Sequence, residues 1–349
     1  MDLRASEATG DQRKAQGERP PRGRHRHMYA AIDLGTNNCR ALIARPRCDG
    51  FEVVDSFSRL VRLGEGLDRN GRLSEAAMAR TVSALGVCAD KLRRHGVSRG
   101  RYIATEACRR AVNGDAFLDR AHAATGLYLE VIGADEEAHL ALSGCAPLLD
   151  NRCSRAIVFD IGGGSTELIW LAIEPDMAPR VLDLTSLRCG VVTMAERHGG
   201  HSVPPPVYAA MVDEATNLLS PFEAANGIAG QIAETAVHML GTSGTVTTLA
   251  AVHLDLARYD RARIDGSWMK LDDVQNAAQR LLAMDYDDRV SHPCIRRGRA
   301  DLVVAGCAIL EAILRAWPVE SIRVADRGLR EGMLLALMDA ADAEVVAGI

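Results

Sequence analysis

Two stretches of the chain share one pattern of hydrophobic and polar positions. In residues 30–44 and again in 157–170, a short apolar run rich in β-forming residues ends at an aspartate, passes a turn of small residues and resumes as a second apolar run. This pattern predicts a β-hairpin in each stretch, with glycine and asparagine supplying the positive φ values of the turn. When the two stretches are superposed, Asp33 aligns with Asp160.

The elements predicted after each hairpin follow the same order. After the first we expect strand 51–63, helix 73–96, strand 101–105, a helix near 115–125, strand 127–133 and helix 135–149. After the second we expect strand 180–188, a helix at about 205–226, strand 236–241, helix 243–254, a largely helical insertion at 271–316, strand 321–326 and helix 327–340. Both halves therefore read βββαβαβα, which predicts a duplicated α/β fold with a cleft between the halves.

Composition argues against several classes of protein. The net charge of −5 and an aromatic content of only 4% disfavour a dedicated nucleic-acid binder, which normally carries a basic face. No apolar run approaches the roughly 18 residues of a membrane span. The nine cysteines are scattered and form no CxxC pair, which predicts reduced thiols in a cytoplasmic protein. We therefore expect neither a nucleic-acid nor a membrane partner.

Residues 1–27 differ in composition from the rest of the chain. They hold seven Lys or Arg and two prolines, with too little apolar material to offset the cost of ordering, so we expect a disordered basic tail. A solvated extension and a contact with an anionic partner both stay open for it. The remaining chain is predicted to divide into one domain of residues 28–134 plus 327–349 and a second of residues 135–326.

The two hairpin turns place bare backbone beside acidic and hydroxyl side chains. Turns rich in exposed N–H groups form concave nests that bind anions, usually phosphate. Asp33 and Asp160 would repel a phosphate unless a divalent cation lay between them, so their presence implies Mg²⁺ or a similar hard ion. A tight turn without a ligand is the alternative, and the matched Asp-x-Gly argues against it. The predicted phosphate-binding residues are Gly35, Thr36, Asn37 and Asn38 in the first turn and Gly162, Gly163, Gly164, Ser165 and Thr166 in the second.

A third turn of small residues joins a predicted strand to a predicted helix. Residues 238–252 run from an apolar strand through five small residues straight into an apolar helix. A helix N-terminus that follows a glycine-rich turn binds anions through its dipole and its free N–H groups. We therefore add to the phosphate site Gly241, Thr242, Ser243, Gly244 and Thr245.

Four motifs, in this order, resemble one known family. AAIDLGTNNCRALIA (30–44), DEEAHLALSG (135–144), VFDIGGGSTELI (158–169) and GTSGTVTTLA (241–250) look like those of the exopolyphosphatase/guanosine pentaphosphate phosphohydrolase (Ppx/GppA) family. That family belongs to the actin-like ATPase (ribonuclease H-like) superfold. The resemblance spans about residues 28–340 and implies a short two-domain form without the extra C-terminal helical domains of longer members. It also implies a C-terminal helix that crosses back onto the first domain.

Five acidic residues stand at or near these motifs. Glu136 and Glu137 begin a predicted helix, where the helix dipole alone also favours acids. The second glutamate of the family motif aligns with Glu137, which is thereby implied to be the general base that deprotonates the attacking water. Asp160 and Asp33 are the implied metal ligands. Glu167 either helps them or is simply a strand residue.

The chain departs from the family at a few positions. The first turn reads DLGTNNCR where DxGSNS is usual, so Asn38 and Cys39 are changes. The motif ATEACRRAVN keeps Arg109, whereas Cys108 and Arg110 match it more loosely. Arg109 is implied to clamp phosphate oxygens as a planar fork, with a surface salt bridge as its alternative role. These changes bear on substrate preference more than on the chemistry.

Two further sets of polar residues give weaker evidence for a functional site. The HGGH motif (198–201) has two histidines with no Cys or third His beside them, so we do not expect a metal site there. Five arginines are either part of a solvated face or guides for a polyanion. They are Arg59, Arg62, Arg296, Arg297 and Arg299.

The predicted function is Mg²⁺-dependent hydrolysis that releases terminal phosphate from inorganic polyphosphate or from guanosine pentaphosphate. The family supports both substrates, and we expect long polyphosphate to be the better one. A kinase of the same superfold and a non-enzymic, nucleotide-switched protein stay as alternatives. Both need a nucleoside pocket, for which the sequence has no distinct turn beyond residues 241–245. A homodimer stays open as the assembly.

Overall fold

The first half of the chain builds a mixed β-sheet. The computed structural model describes residues 27–48, 50–174, 177–295 and 297–347, and within these ranges this sheet has five strands in the order β3-β2-β1-β4-β5. Its strands are β1 (Tyr29–Leu34), β2 (Asn38–Arg47), β3 (Gly50–Leu60), β4 (Arg99–Ala104) and β5 (Glu130–Val131). The helices of this half are α1 (Leu67–Asn70), α2 (Glu75–Arg94), α3 (Glu106–Arg110), α4 (Gly114–Thr125) and α5 (Ala134–Cys145).

The second half builds a similar sheet with one strand more. In the described part of the chain its order is β10-β11-β9-β6-β7-β8. The strands are β6 (Arg155–Ile161), β7 (Thr166–Ala172), β8 (Arg180–Leu187), β9 (Val237–Thr242), β10 (Trp268–Lys270) and β11 (Ser321–Ala325). The helices are α6 (Val191–His198), α7 (Pro205–Asn226), α8 (Ile228–Glu234), α9 (Ser243–His253), α10 (Arg261–Ile264), α11 (Leu271–Ala283), α12 (Tyr286–Ser291), α13 (Val303–Ala316) and α14 (Leu329–Ala347).

The two sheets repeat one topology. In each, three strands pair antiparallel in a meander, and the first strand of the meander pairs on its other side with a parallel strand: β1 with β4 and β6 with β9. A further parallel strand follows in both, β5 in the first sheet and β11 in the second. The register repeats too, because Asp33 lies opposite Arg40 and Asp160 opposite Glu167. The predicted duplicated α/β fold is confirmed.

Helices α5 and α14 lie between the two halves. Leu140 of α5 packs in the core of the first sheet together with Met333 and Met338 of α14. On its other side α5 sends Leu142 and Cys145 into a cluster with the second sheet. These helices therefore join the two sheets, and the C-terminal helix returns to the first sheet as the resemblance implied.

Most predicted boundaries agree with the observed elements, and the exceptions have local causes. Helix α2 begins after Ser74, as expected from its side chain, which accepts a hydrogen bond from the Ala77 backbone N–H (3.2 Å). Strand β3 ends at Leu60, three residues early, because Arg62 turns the chain with φ of 46°. Only Glu130 and Val131 of the predicted strand 127–133 pair, since this strand lies at a sheet edge.

The structure does not test two of the predictions. The disorder predicted for residues 1–27 concerns a segment of which only residue 27 is described. The two predicted domain limits stay predictions. Five helices and one strand were not predicted, because elements of three to eight residues are too short for a clear periodic signal. They are α1, α3, α6, α8, α10 and β10. Across the ranges described, no helix has the length and apolar character to cross a membrane.

Candidate active site

A cavity of about 320 Å³ opens between the two sheets. Its walls come from both hairpin turns, from the β9–α9 turn and from the first turns of α5 and α14. The carboxyl ends of β1, β6 and β9 meet there because these strands run parallel to their neighbours in matching sheets. Of the predicted site residues, those that line the cavity are Asp33, Gly35, Thr36, Asn37, Asn38, Glu137, Asp160, Gly162, Gly163, Gly164, Ser165, Glu167, Thr242, Ser243, Gly244 and Thr245.

The two hairpin turns are closed by equivalent hydrogen bonds. The backbone N–H of Gly35 donates to the carbonyl of Asn38, and that of Gly162 donates to the carbonyl of Ser165, both at 2.9 Å. The expectation of positive φ values was wrong, because none of the glycines in these turns has one. Four residues separate the paired strand ends, so the turns do not need the left-handed geometry of a two-residue hairpin loop.

Close approach to the first turn, rather than φ, explains two of the three consecutive glycines, Gly163 and Gly164. The second turn packs directly on the first: a Cβ on Gly163 would lie 3.1 Å from the Cβ of Asn37, and a Cβ on Gly164 would lie 2.7 Å from Oγ1 of Thr36. Any side chain at these positions would push the two turns apart. The glycines therefore allow the two halves to meet backbone to backbone at the cavity.

The third turn is tied to the second sheet and to α14. Ser243 has a φ of 78°, a left-handed conformation that strains a residue with a side chain. Its hydroxyl forms a hydrogen bond with Asp160, which offsets part of that cost. The hydroxyl of Thr242 donates to the carbonyl of Arg327 at 2.7 Å. The turn therefore has a defined position next to the carboxyl end of β6.

Four of the carboxyl groups that line the cavity belong to predicted site residues, and each has a raised pKa. Burial raises the pKa of Asp33, which Arg40 and Arg330 oppose. Burial also raises the pKa of Asp160 to about 6. Such shifts mean that the carboxylates are desolvated and repel one another, so the site favours a positive charge among them. These groups are Asp33, Glu137, Asp160 and Glu167.

Glu167 has its own hydrogen-bond partners. Its Oε1 accepts from the hydroxyls of Ser165 (2.6 Å) and Ser186 (2.8 Å). Burial, reinforced by the charge of Asp160, raises the pKa of Glu167 to about 7, and the two hydroxyls oppose that rise. Of the two roles that the sequence left open, a cavity carboxylate beside Asp160 agrees with this position.

The structure separates the two adjacent glutamates of α5. Glu136 is exposed and pairs with Arg101 (2.5 Å), outside the cavity. Glu137 faces the cavity, where burial and then the charge of Glu167 raise its pKa well above the ordinary value, while Arg109 opposes the rise. Only Glu137 is therefore in reach of a molecule bound between the turns.

Three predicted phosphate-binding residues do not line the cavity. Arg109 donates to Glu106 (2.5 Å) and to the carbonyl of Ile132 (2.7 Å), and its Nη1 lies 3.4 Å from Oε2 of Glu137. The hydroxyl of Thr166 is buried and donates to the carbonyl of Cys189. Gly241 lies under the ring of Phe159, where a Cβ would be 2.4 Å from the ring edge. Their contacts are thus with the protein itself.

The cavity also contains charged residues that sequence reasoning missed. Arg40 could have been found, because it aligns with Glu167 in the hairpin repeat and so belongs to the same edge of the sheet. Arg330 and Glu331 begin α14, more than 280 residues after the first turn, and no local pattern points to them. Glu106 is buried beside Arg109, at the start of a five-residue helix.

The predicted cluster of five arginines lies partly outside the described residues. Arg296 and the side chain of Arg297 lie outside the described residues, whereas Arg299 lines the cavity beside Gly244. Arg62 is held in an ion pair with Asp301 (2.8 Å). Arg59 is exposed and lies over the ring of Phe57.

The acids of the cavity suit a cation that takes only part of its ligands from the protein. Nowhere in the described ranges do three or more His, Cys, Asp or Glu side chains form a metal-binding group of their own, and this includes the HGGH motif. Magnesium prefers hard oxygen ligands and usually keeps waters and substrate phosphates in its shell. Carboxylates such as Asp160 and Asp33, desolvated and near one another, fit that requirement.

Comparison with known proteins identifies the family of the chain. A model of the Ppx/GppA phosphatase family matches residues 42–341. The chain is 33% identical over 325 residues to Exopolyphosphatase 2 of Mycobacterium tuberculosis (strain H37Rv). This alignment covers 88% of this chain and 98% of that protein. It is also 33% identical over 315 residues to a guanosine-5'-triphosphate,3'-diphosphate pyrophosphatase of Photobacterium profundum, covering 89% of this chain and 59% of that protein.

Solved structures resemble the whole fold. An exopolyphosphatase from Cytophaga hutchinsonii superposes with a TM-score of 0.81 at 25% identity, over 90% of this chain and 98% of that one. The Aquifex aeolicus PPX-GPPA enzyme superposes with a TM-score of 0.72 at 26% identity, over 89% of this chain and 99% of that one. These matches confirm the family resemblance and the fold class, a duplicated α/β fold of the actin-like ATPase superfold.

Proposed function

Because the chain belongs to the Ppx/GppA phosphatase family, we propose that it hydrolyses the terminal phosphoanhydride bond of inorganic polyphosphate and releases orthophosphate. That the chain is a phosphoanhydride hydrolase follows from the family. One observation carries the choice of polyphosphate: the similarity to an exopolyphosphatase extends over 98% of that relative, whereas the chain covers only 59% of the guanosine-nucleotide relative.

The proposed base is Glu137. Its carboxylate takes a proton from a water whose oxygen attacks the terminal phosphorus, the bond from that phosphorus to the bridging oxygen breaks, and the shortened chain leaves as an oxyanion. A carboxylate suffices because phosphoryl transfer asks mainly for positioning and charge neutralisation. The position of Glu137 in the cavity wall supports this role, and so does Arg109, whose charge favours the ionised form and whose guanidinium lies 3.4 Å from it.

We propose that Mg²⁺ is the cofactor, with Asp160 and Asp33 as its ligands and Glu167 beside them. The ion would neutralise charge on the phosphate oxygens and on these acids. The support is electrostatic: burial, together with repulsion from neighbouring acids, raises the pKa values of these three acids and of Glu137, so the chain's own arginines do not neutralise them fully. Asp160 is held in place for this role by its bond with Ser243.

The three turns are the proposed binding surface for the phosphate chain. The turns at 35–38, 162–165 and 242–245 all line the cavity, and their backbone N–H groups are the kind of donor that phosphate oxygens accept. Arg299 adds a positive charge next to the third turn. A linear chain of phosphates can use several such contacts at once, which supports polyphosphate as the substrate.

Guanosine pentaphosphate is the second candidate substrate. Its support is the 33% identity to the guanosine-nucleotide relative and the character of one cavity wall. Beyond the third turn that wall contains an aromatic ring and two aliphatic side chains, from Tyr259, Ile295 and Val303. Such a surface can pack against a nucleoside, a feature that the sequence did not point to.

One assay separates these proposals. Phosphate release is measured with Mg²⁺ present for long-chain polyphosphate, guanosine pentaphosphate and ATP, side by side at matched terminal-phosphate concentration. We expect the largest kcat/KM for polyphosphate and the smallest for ATP. Faster release from guanosine pentaphosphate would reverse the order of the two candidates, and transfer of phosphate from ATP to an added acceptor would contradict both.

We also propose a reducing, cytoplasmic location. All nine cysteines are free thiols, and seven of them are buried in the protein. Disulfides are the rule for oxidising compartments and are rare in the cytosol. Titration of nine thiols in the denatured protein purified without reductant is the expected result, and fewer would contradict this proposal.

A further inference from the structure

Arg330 is a charged side chain in the cavity wall that has no hydrogen-bond or ion-pair partner in the described part of the chain. It lies in the first turn of α14 and lines the cavity. No hydrogen bond or ion pair joins its guanidinium to any other described residue, and the charges around it act only through space. Arg330 is partly buried, and an arginine that is partly withdrawn from water without such partners is costly to keep in a folded protein.

The acid that follows Arg330 in the sequence, Glu331, already has hydrogen-bond partners. Glu331 is buried, and its Oε2 accepts a hydrogen bond from the backbone N–H of Gly328 (3.0 Å). Its Oε1 accepts from Nη2 of Arg261 (2.7 Å). The carboxylate therefore caps the start of α14 and pairs with Arg261, and it attracts Arg330 through space without a hydrogen bond.

The other charges near Arg330 do not supply the missing partner. Asp33 attracts it across the cavity, but Asp33 is shared with Arg40. Arg40 and Arg261 both repel it, and burial lowers its pKa below that of an ordinary arginine. Asp326, also in the cavity wall, attracts Arg330 as well, but its carboxylate accepts from the hydroxyl of Tyr259 (2.8 Å) and pairs with Arg261 (3.8 Å). The donors of Arg330 are therefore available to an anion that enters the cavity from solution.

We propose that Arg330 binds a phosphate group of the substrate chain. The guanidinium presents planar paired donors that match two phosphate oxygens, and such bonds are among the strongest that proteins make. The inference rests on the proposed function in taking a chain of phosphates as the ligand. Arg330 therefore fills the role of phosphate clamp that the sequence assigned to Arg109, whose donors are already used by Glu106 and Ile132.

The first test is binding without turnover. Inorganic tripolyphosphate is titrated by calorimetry into the Glu137→Gln protein and into the same protein carrying Arg330→Met, Arg330→Lys or Arg94→Met. Arg94 is an exposed arginine of α2, so its substitution makes the same change in net charge far from the cavity. We expect Arg330→Met to weaken binding about 10- to 100-fold, Arg330→Lys less, and Arg94→Met hardly at all. Equal affinity for all four proteins would overturn the inference.

The second test measures whether the charge of Arg330 lowers the stability of the protein. An arginine with a purely structural role would not have this effect. Without ligand, Arg330→Met should melt about 2–4 °C higher than the wild-type chain, because an unpaired charge is replaced by an apolar side chain of similar length. Arg261→Met is the matched opposite: it leaves Oε1 of Glu331 without its partner and should lower the Tm. If Arg330→Met melts as low as Arg261→Met, the side chain is structural and the inference is wrong.

The two proposals fail in different ways. Tripolyphosphate binding that depends on Arg330, in a wild-type protein that releases no phosphate from polyphosphate, would refute the proposed function and keep the phosphate site. Rapid hydrolysis of polyphosphate with an unchanged KM in Arg330→Met would refute the phosphate site alone.

Discussion

Gly332 of α14 lies directly against the carbonyl oxygen of Leu140 in α5, so closely that a Cβ on Gly332 would be 1.9 Å from that oxygen. A second contact of the same kind exists one turn away, where a Cβ on Gly144 would be 2.0 Å from the carbonyl oxygen of Gly328. Glu137 and Arg330 stand in the first turns of these two helices. The close crossing therefore sets how the proposed base and the proposed phosphate ligand face the cavity.

Substitution of Gly332 by alanine should separate the two helices. We expect Gly332→Ala to lower the free energy of unfolding by about 1–3 kcal/mol, since backbone cannot yield as a flexible side chain does, and to lower kcat/KM because Glu137 and Arg330 move apart. Urea unfolding and steady-state kinetics measure the two effects.

The matched control for this prediction is Gly86→Ala. Gly86 lies inside α2, where a Cβ would meet nothing within 4 Å. This change should raise stability by about 0.5–1 kcal/mol, the usual gain from alanine over glycine in a helix. Similar behaviour of the two alanine variants would mean that the crossing of α5 and α14 tolerates a side chain.

Glu137→Gln keeps the shape of the side chain and removes the proton acceptor. We expect kcat to fall about 10²–10⁴-fold, the usual contribution of a positioned base, while tripolyphosphate still binds. Glu136→Gln is the control, because Glu136 is exposed and pairs with Arg101 outside the cavity. Near-normal kcat in Glu137→Gln, or a dead Glu136→Gln enzyme, would show that the wrong acid has been chosen.

Removal of the divalent cation should abolish turnover. We expect exhaustive EDTA treatment to stop phosphate release and added Mg²⁺ to restore it in the wild-type protein. Asp160→Ala should lose activity that no Mg²⁺ concentration restores, because a carboxylate next to the second turn is gone. Asp90→Asn, on the exposed face of α2, removes the same charge and should leave the Mg²⁺ dependence unchanged. Full activity of the EDTA-treated enzyme would refute the metal requirement.

His238 should make the protein less stable in acid. It is 2% exposed, its Nε2 has no hydrogen-bond partner within the described ranges, and burial lowers its pKa from 6.5 to about 4. Between those values the unfolded chain binds a proton that the folded chain does not. Its contribution to the free energy of unfolding is therefore complete above pH 6.5 and falls by about 3 kcal/mol as the pH drops to 4.

The cavity acids act in the opposite direction, so the test needs a difference between variants. Asp160, with a folded pKa of about 6, binds a proton in the folded state first and gains stability as the pH falls. Urea unfolding of wild type and His238→Leu at pH 7, 5.5 and 4 isolates the histidine: the variant's relative stability should rise toward acid. His139→Gln, at an exposed histidine of α5, should run parallel to wild type. A constant difference for His238→Leu would contradict the prediction.

The sequence by itself determined the order of the elements and the duplication. Apolar runs, their turns and the cap at Ser74 are local signals, and the fold agrees with them at nearly every strand and helix. The repeat of Asp-x-Gly in the sequence predicts that Asp33 and Asp160 lie at one cavity, because equivalent hairpins in a duplicated fold end at the same edge. The choice of Glu137 over Glu136 came from the family resemblance alone, since the two residues carry the same charge.

Only the tertiary structure decided what the side chains touch. In the tertiary structure Glu136 faces outward and pairs with Arg101, whereas Glu137 faces the cavity. Arg109 donates a hydrogen bond to Glu106. The structure also showed that Gly163 and Gly164 are required by a neighbouring turn more than 120 residues earlier, and not by their own φ values. Arg330 could not be found from the sequence at all. Its significance depends on which acids already have partners, and those partners are brought together only when α14 packs back against α5.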